Sequence, residues 1–376
     1  MRVGLDLTAL LPQRSGVDTY VRGLVEHLDS VPHDHRFTVW VNREDLDAVR
    51  AFAPSPVRVV PLCLRPRLAR LAFQQGLLPA AAAAGRLDVV HSPAFIAPLL
   101  RAGRRHVLTV HDMTFFSMPE VHGRLHRSAA FRKAVIGSIR RADRVTVPSR
   151  ATADAVRSVV PEVGPERVAV VAPGIDSRFR PLDPAAAAPV LARLGIPRPY
   201  VLHVGTVEPR KDLPTLVAAY RVLVEEGAPE HLVLAGRLGW GEAELRARLA
   251  EAQELQGRVH VAGWVADDDL PALYAGARAV AYPSRGEGFG FPPLEAMACG
   301  VPVVATGVDA LAENLEGAAE LVPPCSPEAL AAALRRVLHD ERLRAELRAR
   351  GFERAGHFRW EETVRRMLGV YEAAAR

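Results

Sequence analysis

The stretch RGEGFGFPPLEAMACGVPVVA, residues 285 to 305, places two glutamates, Glu287 and Glu295, on either side of seven intervening residues that include two glycines and a Pro-Pro pair. AVAYPS before it has the pattern of a buried strand, so RGEGFGF is a loop at a strand's carboxyl end. Pro292 and Pro293 preset the first turn of the helix that carries Glu295. Gly288 and Gly290 allow close approach to the backbone, and the amides of Gly288, Phe289 and Gly290 can be offered to a ligand. Glu295 can accept two hydroxyls of a ribose, and Glu287 can reach hydroxyls of a second, more distal sugar.

A second strand end, HVGTVEPRKDL (203 to 213), sets Arg210 beside Lys211. Arginine offers a planar fork and lysine a point charge, which together suit a diphosphate. The alternative is a solvated pair at a helix start, but cations there oppose the helix dipole and need another reason to be present. In SGVDTY (15 to 20), Gly16 opens a helix whose free amides favour an anion, although one glycine taken alone also reads as a plain turn. No GxGxxG follows, so a dinucleotide-dependent oxidoreductase loses its main support. Two carboxylates with a diphosphate clamp describe a nucleotide-sugar site.

These residues need a scaffold of strands and turns, and the apolar pattern supplies one. Short apolar runs alternate with helical patterns: RVGLDLTAL, FTVWVN, VRVVPL, DVVHS, HVLTVHD, RVTVPS and RVAVVAP, with helices expected around Leu68 to Ala84 and Arg124 to Ala142. A segment rich in Pro and Ala then breaks the pattern, and it restarts with YVLHVG, HLVLAG, RVHVAG, AVAYPS and PVVAT. Two βαβ series mean an α/β chain with two doubly wound parallel sheets, and ligands bind such sheets at the carboxyl ends of their strands. The expected organisation is an amino-terminal Rossmann-like domain over 1–178, a linker over 179–198, a second Rossmann-like domain over 199–356 and a last helix over 357–376.

At 376 residues, two domains are the default, and the composition is that of an ordered globular protein. Cys63, Cys299 and Cys325 are too scattered for a zinc site or a disulfide framework, which fits a reducing cytoplasm. The amino terminus lacks the apolar core of a signal peptide, and LLPAAAAAG is too short to span a bilayer. The net charge of +5 is nearly all arginine, with Lys133 and Lys211 the two lysines. Basic residues crowd between Arg101 and Arg150 without interleaved aromatics, which argues against nucleic acid. A solvated helix face is the plain reading, with contact to an anionic lipid surface as the alternative.

At this point the chain resembles the retaining GT-B glycosyltransferases of family 4. Glu287 and Glu295 match that family's paired-glutamate motif, and GTVEPRK its diphosphate-holding segment. The likeness continues through SGVDTYVRGL, TVHDMTFF, ADRVTVPSRATADAV, VVAPGID, LAGRLGW, LPALYAGARAVAYPS and FRWEETVRRMLGVYEA. It implies two Rossmann-like domains facing a central cleft, with the last helix crossing back to the first domain.

Residue roles follow from the resemblance. Arg210 and Lys211 neutralise the departing diphosphate, Glu295 holds the ribose, and Glu287 with the Gly288, Phe289 and Gly290 amides orients the transferred hexose. The Leu294 amide sits near the phosphate, Gly16 approaches it from the first domain, and Val265 meets the base through its backbone. His111, in TVHD, is the active-site histidine near the sugar. The implied reaction is metal-independent hexosyl transfer with retention, without a cofactor, by front-face attack rather than a double displacement.

EPRK, HDMTFF and EGFGFPP resemble branches assigned as mannosyltransferases, which makes GDP-mannose the first donor expected, ahead of UDP-glucose or UDP-N-acetylglucosamine. The acceptor is open among a lipid-linked sugar, a polysaccharide end and a natural-product aglycone, with peripheral contact at the inner membrane face as part of the first case. A non-catalytic sugar-nucleotide-binding module is the competing class. Three further features have structural readings: Asp267, Asp268 and Asp269 as a helix-opening acidic run rather than a metal-binding Asp-x-Asp, His91 as a buried structural histidine, and Trp360, Val364, Met367, Leu368 and Tyr371 as one apolar helix face.

Overall fold

The computed structural model describes residues 1–8, 15–55, 57–64, 67–99 and 104–376. Arg101 and residues 9–14 lie outside them. The chain forms two compact units, one made of Met1–Ser117, Arg124–Gly174 and Phe358–Arg376, the other of Met118–Gly123 and Ile175–His357.

The first unit is built on seven parallel strands, each at an apolar run of the sequence: β1 (Arg2–Asp6), β2 (Arg36–Asn42), β3 (Arg58–Leu62), β4 (Val89–Ser92), β5 (Arg105–Thr109), β6 (Arg144–Val147) and β7 (Val168–Val170). Their order is β3-β2-β1-β4-β5-β6-β7. Strands covered on both faces by crossover helices need apolar side chains on both faces, and Val3, Leu5, Val89, Val107 and Val145 are fully buried.

Two helices of this unit differ from their expected outlines. The pattern over 124–142 is split into Arg124–Arg127 and Ala129–Arg141, because Ser128 turns extended and its hydroxyl caps the amide of Phe131. The pattern near Leu68 becomes Arg67–Ala72, a π-helical turn Phe73–Leu77 and Leu78–Ala84. Arg124, Arg127, Lys133, Arg140 and Arg141 are exposed, as a solvated face requires. No helix among the described residues is long and apolar enough to cross a membrane.

The last helix, Trp360–Ala375, packs into the first unit and buries Trp360, Val364, Met367, Leu368 and Tyr371. Trp360 stacks on His27, with ring centroids 5.6 Å apart. Gly23 makes room for it, since a Cβ there would overlap the indole. Gly23→Ala, normally favourable inside a helix, is therefore expected to destabilise by about 1–3 kcal/mol and lower the melting temperature by several degrees. Thermal denaturation of the purified variant checks this.

The second unit holds six parallel strands: β8 (Tyr200–Val204), β9 (His231–Ala235), β10 (Val259–Gly263), β11 (Ala279–Tyr282), β12 (Val303–Thr306) and β13 (Glu320–Val322), ordered β10-β9-β8-β11-β12-β13. β13 has no counterpart among the expected strands: it is three residues long and begins with a glutamate. The expected linker 179–198 is helical over half its length, Pro184–Arg193, with Ala187 and Leu191 buried in this unit. Asp183 caps that helix through the amide of Ala185, so the Pro and Ala that read as a break serve as a helix start and body. The short segment Met118–Gly123 also belongs here, held by a hydrogen bond from the Trp240 indole to the Val121 carbonyl, 3.1 Å.

The winding of this sheet reverses between β8 and β11, the switch point at which doubly wound sheets bind ligands. Ala279 pairs with Val201 and Val280 with Leu202, so the loops leaving the carboxyl ends of β8 and β11 emerge side by side.

Candidate functional site

Those two loops carry the acids and cations singled out in the sequence. After β8, Pro209 opens a tight turn, Pro209–Lys211, and Asp212 follows with φ +50°, which aims the Arg210 and Lys211 side chains towards the neighbouring loop. After β11, the loop is pinned through its carbonyls: Thr306 donates to Ser284, Arg210 to Gly286 at 2.8 Å and Asn314 to Phe289 at 2.8 Å. The Arg285 amide donates to the Arg210 carbonyl at 2.8 Å, tying one loop to the other.

Glu287 meets both cations. Its Oε2 accepts from Arg210 Nη1 at 2.6 Å and its Oε1 from Lys211 Nζ at 2.5 Å. Lys211 also donates to the Tyr282 hydroxyl at 2.5 Å and lies 4.8 Å from the centre of that ring. Arg210 reaches Glu208 through Nη2, 2.6 Å. Burial alone would raise the Glu287 pKa, but the guanidinium and ammonium outweigh it and hold the carboxyl down at about 2. Burial lowers the Lys211 pKa from its usual range, against the opposing pull of Glu287. Below Tyr282, His203 stacks at 5.6 Å and burial lowers its pKa to about 4, so at neutral pH it adds no third cation.

Glu295 stands apart from this cluster, on the helix Phe291–Ala298. Tyr274 donates to its Oε2 at 2.8 Å, and burial pushes its pKa up to about 7. A buried carboxylate with one oxygen engaged is suited to accept hydroxyl donors on the other. The same helix begins at Gly290, which has φ +90°. Pro292 and Pro293 lack amide hydrogens, so Phe291 and Leu294 supply the donors of its first turn.

Gly290 cannot be replaced freely, because a Cβ would come within 2.5 Å of Leu311 Cδ2 and positive φ strains any side chain. Gly290→Ala is expected to displace the loop and cut activity at least tenfold while the protein stays folded, at a cost of about 1–3 kcal/mol. Steady-state kinetics together with a melting curve checks both parts.

The remaining expected residues distribute as follows. Val265 has a buried side chain just after β10. Gly16 and His111 belong to the first unit. At the helix that Gly16 opens, Asp18 accepts from the Ser15 amide at 2.8 Å, so one donor there is already taken by the protein's own carboxylate. His111 follows β5; its Nε2 donates to the Pro93 carbonyl at 2.6 Å, which leaves Nδ1 as the acceptor of the neutral ring. Burial lowers its pKa, against Pro93 and Asp112.

His91 is structural: its ring nitrogens pair with Tyr371 and Thr109, each at 2.8 Å. Asp268 and Asp269 form ion pairs with Arg178 and Arg193, at 3.6 and 2.6 Å. Asp269 occupies the N-cap position of the helix Leu270–Ala275 but makes no capping hydrogen bond with its side chain, so Asp268 and Asp269 add ion pairs to the helix-opening position expected of the run. Sequence reasoning missed Glu208, Tyr282 and Tyr274. The available signals were an acid two residues before Arg210 and tyrosines on apolar runs, patterns that a buried core also uses.

Two family descriptions match the chain, Glycosyltransferase Family 4 over residues 14–179 and Glycosyl transferases group 1 over 193–354. The O-antigen chain mannosyltransferase B of Escherichia coli is 34% identical over 287 residues, spanning 76% of this chain and 74% of that protein. This chain belongs to the group 1, family 4 glycosyltransferases. A D-inositol 3-phosphate glycosyltransferase of Kineococcus radiotolerans is 35% identical to this glycosyltransferase over 337 residues, 81% of this chain and 76% of the relative. Among solved structures, a sucrose-phosphate synthase from Thermosynechococcus elongatus superposes with a TM-score of 0.79 at 25% identity, covering 99% of this chain and 98% of that one. HepE of Anabaena, in complex with UDP-glucose, gives 0.77 at 21% identity, covering 99% and 98%. The fold of this glycosyltransferase is GT-B, with Rossmann-like domains of seven and six parallel strands.

Proposed function

We propose that this glycosyltransferase is a retaining, metal-independent hexosyltransferase that takes its sugar from a nucleoside diphosphate, with GDP-mannose the first donor to test. The observation that carries the reading is the contact of Glu287 with both Arg210 and Lys211 at the β8/β11 switch point. A buried lysine and a half-buried arginine there suit a diphosphate, and the carboxylate between them suits the sugar that the diphosphate carries. The mannosyltransferase named among the relatives supports the choice of hexose.

In this reading the donor displaces an internal ion pair. Its diphosphate takes over Arg210 and Lys211, and Glu287 is released to the hexose hydroxyls beside the amides of Gly288, Phe289 and Gly290. The Leu294 amide faces the phosphate, Glu295 receives the ribose hydroxyls, and the backbone at Val265 meets the base. As the glycosyl–phosphate bond breaks, charge develops on the diphosphate, where preorganised cations lower the barrier. The acceptor attacks from the leaving-group face and gives its proton to a phosphate oxygen, so no carboxylate needs to form a covalent intermediate.

The test is a thermal-shift and transfer screen with GDP-mannose, UDP-glucose, UDP-N-acetylglucosamine and their nucleotides, in the presence of EDTA, followed by proton NMR of the product anomer. Binding at 100 times the dissociation constant should stabilise by about 2.7 kcal/mol. Stabilisation by GDP and an α-mannosyl product are expected. An inverted product, or a strict metal requirement, overturns the mechanism; stabilisation by UDP alone overturns the donor.

A further inference from the structure

We propose that Glu208 is a positioning residue that fixes the Arg210 guanidinium and, through its charge, limits how tightly the site holds a nucleoside diphosphate. The inference rests on the donor-diphosphate reading above. Glu208 lies just before the Pro209–Lys211 turn with its side chain 9% exposed, and its Oε1 accepts from Arg210 Nη2 at 2.6 Å. Its carbonyl accepts from the Lys211 amide at 2.9 Å. Behind it, a Cβ on Gly241 would lie 3.1 Å from the Glu208 Cα, so the backbone here is closely packed.

Four charges make up the cluster, Glu208 and Glu287 against Arg210 and Lys211, and they cancel. A diphosphate carrying two negative charges gains little from a neutral cluster, so one acid must give way. Glu287 lies between Gly286 and Gly288, which have no side chains to limit φ and ψ on either side of it, although Arg210 holds the Gly286 carbonyl. Glu208 is followed by a proline that fixes φ and is locked into a turn. The acid that withdraws is therefore Glu287, while Glu208 keeps its hold on Arg210 in both states. Two cations then face the diphosphate with one anion left behind them. This arrangement orients the guanidinium and keeps the leaving nucleotide from binding too tightly to depart.

Glu208→Gln separates charge from geometry, since the amide oxygen still accepts from Arg210. Glu208→Asp does the reverse: it keeps the charge and shortens the reach. The measurement is calorimetric titration of GDP, GMP, UDP and UMP into each full-length variant, with donor kinetics alongside. Removing one negative charge a guanidinium's width from the diphosphate, which carries about one negative charge more than the monophosphate, should raise the ratio of diphosphate to monophosphate affinity about 5- to 10-fold. The donor KM and kcat of Glu208→Gln should fall together as product release slows. For Glu208→Asp the ratio should be no higher than in the native protein. An unchanged or lower ratio in Glu208→Gln overturns the proposal, and so does an equal rise in Glu208→Asp. Native protein that binds none of the four nucleotides refutes the donor reading itself, a separate result from either of these.

Discussion

Lys211→Ala is expected to lower kcat/KM by about three orders of magnitude, with most of the loss in kcat. The ammonium is buried and meets Glu287 and Tyr282 at 2.5 Å each, so its removal acts twice. The departing diphosphate loses one of its two proposed cations, and loss of one such preorganised donor costs about 3–4 kcal/mol in the transition state. Glu287 also loses one of the two partners that hold its pKa down. Removing a positive charge lets that pKa rise, so any residual activity should shift its acidic limb to higher pH. Lys211→Arg keeps the charge, but its planar fork does not fit between a carboxylate and a phenol set for a compact ammonium, and about a hundredfold loss is expected. Donor kinetics with a circular dichroism spectrum of each variant decide the matter. A folded Lys211→Ala protein within tenfold of native kcat/KM refutes the assignment.

The second large effect concerns Glu295 and pH. Its folded pKa, about 7, lies above the ordinary carboxyl value of 4.5 because burial disfavours the charge. Its contribution to stability is therefore full below pH 4.5 and is lost as pH rises through about 7, a difference of about 3 kcal/mol. Glu295→Gln removes the titration and can still accept from Tyr274. Relative to the native protein it should gain up to about 3 kcal/mol at pH 8 and nothing at pH 4.5, as denaturant melts at the two pH values would show. Function should run the other way. If the ionised form receives two ribose hydroxyls, each charge-assisted bond is worth about 1.5–3 kcal/mol, and the variant should lose about a hundredfold or more in donor affinity at pH 8. Native donor affinity should fall about tenfold per pH unit below 7. Titrations at pH 5, 6, 7 and 8 that show a flat profile refute the ribose role.

Much of this protein is legible in its sequence. The strands with strong apolar runs, from RVGLD to VVAT, are found where the pattern places them, because parallel strands covered on both faces need apolar residues throughout. The loop at the end of β11 and the helix after it follow from the Gly and Pro positions, and the family follows from the motifs. What escaped was weakly patterned or set by contacts distant in sequence. β13 is too short and polar to show a period, and the break at Ser128 depends on a cap that interrupts an otherwise continuous helical face.

The sequence by itself determined which acids and cations lie at strand ends, since residue type and local turn chemistry are properties of a few neighbouring positions. Only the tertiary structure decided which of them meet. Glu287 touches Lys211 because β11 lies against β8 in the sheet, although β9 and β10 come between them in the chain. That choice of neighbour is made by the whole sheet. The same packing buries Glu295 beside Tyr274 and sets Glu208 behind Arg210, so the charge states of the candidate site are consequences of burial and of partners that no local pattern encodes.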